Sequence, residues 1–400
     1  MAQARRGGQI QSKLGFLIYG NKGTWKSSLA AQLGDMKNEA GEPMRVLYID
    51  TENGSIDDLL NYKASEGVDV SNIYVVYSTS FEEVKEIIKQ AKDCSKSKPI
   101  TLFDSQTNTN FSLENEDGTP FIPDAIVIDS LTVLYDSCID ALNQFSKKRA
   151  AVRAQKKQMS GAEKVVAIEG AGMEIKDYQS LNLRGKELIL DLMASGKHFV
   201  VTTREADETI SEKNDEGQFV SVKTGRVLPQ GFKQVDYNVK TVIHTFVNND
   251  GEVCAQIEDK DRTRVKAQNE ILINPSLMDW QVIIAGNKGK EEFLVKNSIS
   301  ESVAQEIKYQ EKKTVATVGE SVLDVSDYDT DLDALKTETA SLIKAITSNT
   351  DKTYKTNLAK LFEENGFKEK NPTKYTDKEA LKKVRDTIIA NAELLGLETA

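Results

Sequence analysis

A nine-residue stretch, Gly20-Asn21-Lys22-Gly23-Thr24-Trp25-Lys26-Ser27-Ser28, stands between an apolar run at residues 14–19 and a helix-like run at residues 29–36. A strand that delivers the chain to a glycine-bearing loop, which in turn opens a helix, leaves free backbone N–H groups at the helix start. The positive end of the helix dipole lies behind them and favours an anion. The stretch therefore reads as a phosphate-binding loop, with Lys26 reaching the β- and γ-phosphates and the Ser27 hydroxyl on Mg2+. One position departs from the usual G-x-x-x-x-G-K-[ST]: Trp25 stands where the second glycine is expected. A residue already turning into a helix can carry a Cβ there if its side chain points away, and Trp25 is expected to pack outward. The competing reading is a lysine-bearing loop that no longer binds nucleotide.

The 400 residues allow one large domain and a smaller one. A net charge of −10 with ordinary apolar content marks a globular chain. It neither advertises nor excludes nucleic acid, because phosphate affinity depends on where lysines and arginines cluster. Cys94, Cys138 and Cys254 are far apart and odd in number, which suits a reducing compartment and offers no disulfide framework or zinc spacing. With only His198 and His244 besides, a metal site of N and S ligands is not expected. No apolar run approaches the ~20 residues that span a bilayer, and no apolar segment follows Arg5 and Arg6 in the manner of a secretory signal. A cytoplasmic protein without membrane contact is expected.

Along the chain, residues 28–37 read as a helix and residues 45–50 as a buried strand ending in Asp50-Thr51-Glu52-Asn53-Gly54. Carboxylates at such a strand end lie where ligands bind in open α/β sheets. A helix at 56–66, a strand at 73–77 and an amphipathic helix at 81–92 follow. Residues 96–123 read as a surface hairpin with a turn at Asp117-Gly118. The strand Ala125-Ile126-Val127-Ile128-Asp129-Ser130 fits a Walker B pattern, whose aspartate holds Mg2+ or its water.

Helices at 134–158 and 178–193 come next. Between Asp140 and Glu163 lie Lys147, Lys148, Arg149, Arg153, Lys156 and Lys157 with no acidic residue, either a solvated helix face or a contact for nucleic-acid phosphates. The strand at 198–204 ends in Thr202-Thr203-Arg204, and either threonine, Thr203 in particular, is a candidate γ-phosphate sensor. Residues 205–231 read as a mobile recognition loop, with Asp215-Glu216-Gly217 as a turn between short extended pieces. Strands at 239–247 and 253–257 form a hairpin across Asn249-Asp250-Gly251, followed by the charged stretch Glu258 to Arg264. Three segments result: a core at 1–290; a helix (300–313) and acidic linker (322–333) within 291–333; and a helical domain at 334–400. In the last, helices at 335–347, 354–365 and 378–395 are expected, with Asp377 as an N-cap and Gly396 as a stop.

The order of phosphate loop, strand ending in Glu52, strand ending in Asp129, strand ending in Thr-Thr-Arg and charged hairpin resembles the RecA-like branch of P-loop ATPases. More closely, the chain is similar to phage-encoded RecA-type nucleotide-binding proteins that include single-strand annealing ATPases. Tyr19-Gly20, Ile128-Asp129-Ser130 and Lys260-Asp261-Arg262-Thr263 carry that likeness, over roughly residues 14–280. The resemblance implies an α/β core with a mainly parallel central sheet flanked by helices, and ATP and Mg2+ as cofactors. Residues 20–28 and Thr203 would bind nucleotide, Ser27 and Asp129 would hold the metal, and Lys26 and Glu52 would be catalytic, Glu52 by polarising the attacking water. Lys260 and Arg262, with Arg264 as a helper, would complete the site of a neighbouring subunit in a ring or filament. The regions around 147–157 and 206–231 would face single-stranded DNA, in recombination, annealing or replication. Two other readings stand beside this one: a nucleotide-gated assembly protein with little turnover, whose C-terminal helices recruit a protein partner, and a helicase or helicase-loader motor subunit.

Overall fold

The computed structural model describes residues 7–104, 107–214, 217–292, 332–348, 352–367, 369, 371–375, 377–391 and 393–395. The chain divides into two compact units, Met1–Glu306 and Ile307–Ala400. The expected helix at 300–313, nearly all of the acidic linker at 322–333, the Asp215-Glu216 turn and the Gly396 stop lie outside the described residues.

The first unit runs β1 (Gly15–Gly20), α1 (Lys26–Ala31), β2 (Val46–Asp50), α2 (Asp57–Ser65), β3 (Ile73–Tyr77), α3 (Phe81–Asp93), β4 (Thr101–Asp104), β5 (Thr109–Ser112) and β6 (Ala125–Asp129). It continues through α4 (Leu131–Lys156), α5 (Gly161–Glu169), α6 (Ile175–Ala194), β7 (His198–Lys213), β8 (Phe219–Pro229), β9 (Thr241–Val247), β10 (Val253–Asp261), β11 (Ile271–Ile273) and α7 (Gln281–Ala285). Nine strands form one sheet in the order β11-β10-β9-β1-β7-β6-β2-β3, with β8 paired to β7, while β4 and β5 form a separate hairpin. The six strands from β9 to β3 are parallel, and β10 and β11 run antiparallel at one edge. This is the RecA-like P-loop arrangement that the sequence predicts.

Every residue of β1, β2 and β6 is buried, as a parallel sheet covered on both faces requires. Side chains alternate between the faces. Leu17, Tyr19, Ile49, Ile128 and Val201 pack with Val84, Ile88, Leu188 and Phe232 on one side. Phe16, Ile18, Tyr48, Val127 and Val200 pack with Leu29, Leu33 and Trp280 on the other. Trp280 is fully buried, meets Phe16 edge-on at 5.3 Å and donates its indole N–H to Thr263 Oγ1 at 3.0 Å. Buried His198 accepts the Leu14 N–H at Nδ1, which leaves Nε2 to donate to Glu39. The ring is thus held neutral, and burial lowers its pKa.

The sequence reading needs three adjustments. The helix expected at 28–37 ends at Ala31 and tightens into a 3-10 turn, Gln32–Asp35, where a Cβ on Gly34 would lie 2.7 Å from Ile73. That close approach to β3 is open only to glycine. Helix α4 begins at Leu131 and α6 at Ile175, each three residues earlier than periodicity indicates. Finally, the short extended pieces expected within 205–231 are long paired strands: β7 continues to Lys213 and pairs with β8 as an antiparallel arm.

In the second unit, α8 (Leu332–Ser348), α9 (Lys352–Glu364) and α10 (Lys378–Ala390) enclose Ile346, Leu358, Leu361, Phe362, Val384 and Ile388. The Asp377 side chain caps α10 by accepting from the Glu379 and Ala380 amides. Among the described residues, no helix is long and apolar enough to cross a membrane.

Candidate functional site

Strand β1 ends at Gly20, where an added Cβ would fall 2.1 Å from the Thr245 carbonyl oxygen of β9. Only glycine lets the chain leave the sheet this close to its neighbour. Thr24, 2% exposed, donates its hydroxyl to the Asn21 carbonyl at 2.8 Å and pairs with Thr245 Oγ1 at 2.8 Å. These bonds curl the loop back on the strand end. Lys26 Nζ donates to the same Asn21 carbonyl at 2.7 Å, so the lysine is folded over the loop. Burial pushes its ammonium below the ordinary value, against the opposing pull of Asp129, Glu52 and Glu205.

Trp25 is the N-cap of α1, with φ 63° and ψ 21°. It adopts the left-handed conformation that glycine favours, and its ring is 47% exposed. The side chain does point outward, as the sequence reading expects, but the backbone keeps the glycine geometry. The strain is of the kind that clusters at ligand-binding loops, roughly 1–3 kcal/mol. A Trp25→Gly variant is therefore expected to be about 1 kcal/mol more stable than Trp25→Ala, which removes the ring but keeps the strain. Equal midpoints in denaturant unfolding would show that the left-handed conformation carries no such cost.

Asp129, 2% exposed, lies two strands from the loop. Its Oδ2 accepts the Tyr48 hydroxyl at 2.7 Å and the Ser55 hydroxyl at 3.2 Å, and its Oδ1 accepts Thr202. The Ser27 side chain lies within reach of the same phenol. Burial, and then the Asp129 charge, hold that phenol well above its usual pKa. The Asp129 carboxylate is surrounded by neutral hydroxyls, an all-oxygen environment that suits Mg2+, which takes one or two protein groups plus water and phosphate.

Glu52 follows β2 in a turn built by Asp50, whose carboxylate accepts the Glu52, Gly54 and Ser55 amides, each at 2.8 Å. Glu52 Oε1 accepts Ser130 Oγ at 2.9 Å and Arg204 at 3.0 Å. The fold thus gathers Lys26, Ser27, Glu52 and Asp129 at the C-terminal ends of β1, β2 and β6. Asp50, Tyr48, Ser55, Ser130 and Arg204 are partners that the sequence reading did not assign. Of these, Asp50, Ser130 and Arg204 stood in its motifs, Asp50 two residues before Glu52 and the others one residue beyond Asp129 and Thr203.

Other candidates are not gathered there. Thr202 points at Asp129, on the α1 face of the sheet, whereas Thr203 follows Val201 onto the opposite face. Its hydroxyl is buried without a hydrogen-bond partner among the described residues. Asp261 pairs with Thr241, and Thr241 with Phe16. Lys260 and Arg262 therefore lie at the opposite end of the sheet from the loop, four residues or about 13 Å along β1. Asp261 and Thr263 turn inward, Asp261 accepting the Thr241 hydroxyl at 2.9 Å. Lys260 and Arg262 instead donate to the Asp236 and Tyr237 carbonyls. Burial, with the Arg262 charge beside it, pushes the Lys260 ammonium down to about 8.

The basic run on α4 is half neutralised. Lys147 pairs with Glu169, Arg149 with Asp177 and Glu174, and Arg153 with Glu174.

A family model described as an AAA domain matches residues 12–267. Among solved structures, a KaiC-like protein from the hyperthermophilic archaeon Pyrococcus horikoshii OT3 aligns over 65% of this chain and 88% of its own, at 13% identity and a TM-score of 0.31. No curated protein matches the chain.

Proposed function

The chain belongs to the AAA domain family, and from that premise we propose that it binds ATP with Mg2+ and hydrolyses it as a homo-oligomer. The observation that carries this is the convergence of Lys26, Ser27, Glu52 and Asp129 on the mouth of one loop. Residues 20–28 cradle the phosphates through backbone amides, and Lys26 turns from the Asn21 carbonyl to the β- and γ-phosphates. Ser27 and Asp129 hold the metal, which when bound neutralises phosphate charge. Glu52, fixed by Ser130 and Arg204, orients the attacking water and takes its proton. Thr202, tied to Asp129, is better placed than Thr203 to sense the γ-phosphate. Lys260 and Arg262, remote from their own loop, serve the neighbouring subunit.

Single-stranded DNA in recombination, annealing or replication is the finer reading. Lys157, exposed just past the end of α4 with no ion pair among the described residues, supports it. Phosphate release measured with and without single-stranded DNA tests both parts. Turnover is expected alone and to rise severalfold with DNA. An ATP-binding chain with no turnover in either condition would instead be a nucleotide-gated assembly protein, and equal rates would remove DNA as the effector.

A further inference from the structure

Two elements of the first unit lack the cover that their length requires. The arm formed by the outer parts of β7 and β8 is a two-stranded ribbon, and such a ribbon alone is marginally stable in water. On one of its faces Ile210 lies opposite Val222, and Glu212 opposite Val220. Glu208 joins this face through a hydrogen bond from Thr224 at 2.7 Å. Ile210, Val220 and Val222 are 45%, 38% and 38% exposed. Glu208, Ile210, Glu212, Val220, Val222 and Thr224 thus give the face an apolar centre and two carboxylates, with no cation among these six.

The second element is the helical pair α4–α5. Helix α5 has nine residues and buries none of them, shorter than an isolated helix can sustain. Its Val165 and Val166 are 59% and 71% exposed. On α4, Phe145, Lys148, Val152 and Lys156 follow at intervals of three and four residues, which places them along one side of the helix. Phe145 and Val152 are more than half exposed. From Phe145 to Glu169 the sequence holds seven basic and two acidic residues, and three of the basic ones are spent on Glu169, Glu174 and Asp177.

The surfaces are opposite in charge, alike in apolar content and both bare in a single chain. We propose that they cover one another between copies: the arm of one protomer lays Ile210, Val220 and Val222 on the α4–α5 surface of the next, with Glu208 and Glu212 facing Lys148 and Lys156. Each protomer gives its arm and receives another. The contact is heterologous and builds a ring or a filament. The carboxylates on the arm face argue against nucleic acid as its occupant, since they would repel phosphates.

The inference rests on the homo-oligomeric ATPase reading. The test uses the full chain with a non-hydrolysable ATP analogue, and light scattering after size exclusion as the readout. Glu208→Lys with Glu212→Lys, and separately Lys148→Glu with Lys156→Glu, are each expected to weaken assembly at least tenfold. The chain carrying all four changes is expected to recover it. A maleimide cross-linker is expected to join arm to helix between protomers when Ile210→Cys and Val152→Cys chains are mixed, a readout that needs no charge reversal to fold well. Failure of the fourfold variant to recover, with no cross-link, would overturn the proposal. So would helix reversal that lowers affinity for single-stranded DNA and leaves assembly intact. In both cases the wild-type chain would still assemble, so the ATPase reading would stand. A wild-type chain that binds the analogue yet stays monomeric would remove the oligomer itself.

Discussion

Glu52→Gln is expected to hydrolyse ATP at least about a hundredfold more slowly than the parent, the range lost with a general base, while binding nucleotide with unchanged affinity. The substitution is isosteric, and the amide oxygen can still accept from Ser130 and Arg204, the two donors that hold the carboxylate. The Asp50 turn beneath it is untouched. What disappears is the negative charge that draws the proton from water. Steady-state phosphate release, set beside equilibrium titration with an ATP analogue, separates the two effects. Retained turnover would make Glu52 a carboxylate that merely closes β2.

Arg262→Ala is expected to cost about a thousandfold in turnover or more, the loss seen when an arginine finger is removed, with nucleotide binding nearly intact. The register of β9 and β10 keeps Arg262 at the far end of the sheet from its own loop, so the proposed effect on turnover is one exerted on a neighbouring subunit. Mixing supplies the decisive measurement. An Arg262→Ala protomer keeps Glu52, and a Glu52→Gln protomer keeps Arg262, so the two inactive chains together form intact sites at about a quarter of their junctions. Activity is expected to reappear on mixing and to scale with that fraction. Collapse of nucleotide binding and assembly in the Arg262→Ala chain would assign the residue to the turn it shares with Tyr237.

The strand ends were legible in the sequence because a parallel core strand is an unbroken apolar run, and the polar residue that ends it stands at the ligand edge. Glu52, Asp129 and the Thr202-Thr203 pair were found in that way. The preference for Thr203 over Thr202 had no basis in the sequence, since the choice turns on which face of β7 meets α1. The Arg204 contact with Glu52 was not legible either, being made between residues 152 apart in the chain. How far the basic run is neutralised was not legible for a related reason: Glu169, Glu174 and Asp177, which pair with half of it, come from the following helices. Residues 205–231 were read as a loop with only short extended pieces because solvent on both faces leaves no alternation of apolar and polar side chains to mark the full strands.

The left-handed residue at the phosphate loop has a spectroscopic side. The chain holds two tryptophans. Trp280 is sealed in the core against Phe16, while the Trp25 indole is 47% exposed and adjoins Lys26. Their emission is accordingly separable, one band blue and shielded from quenchers, the other red and open to them. The residue that makes the motif irregular thus equips the loop with its own fluorophore.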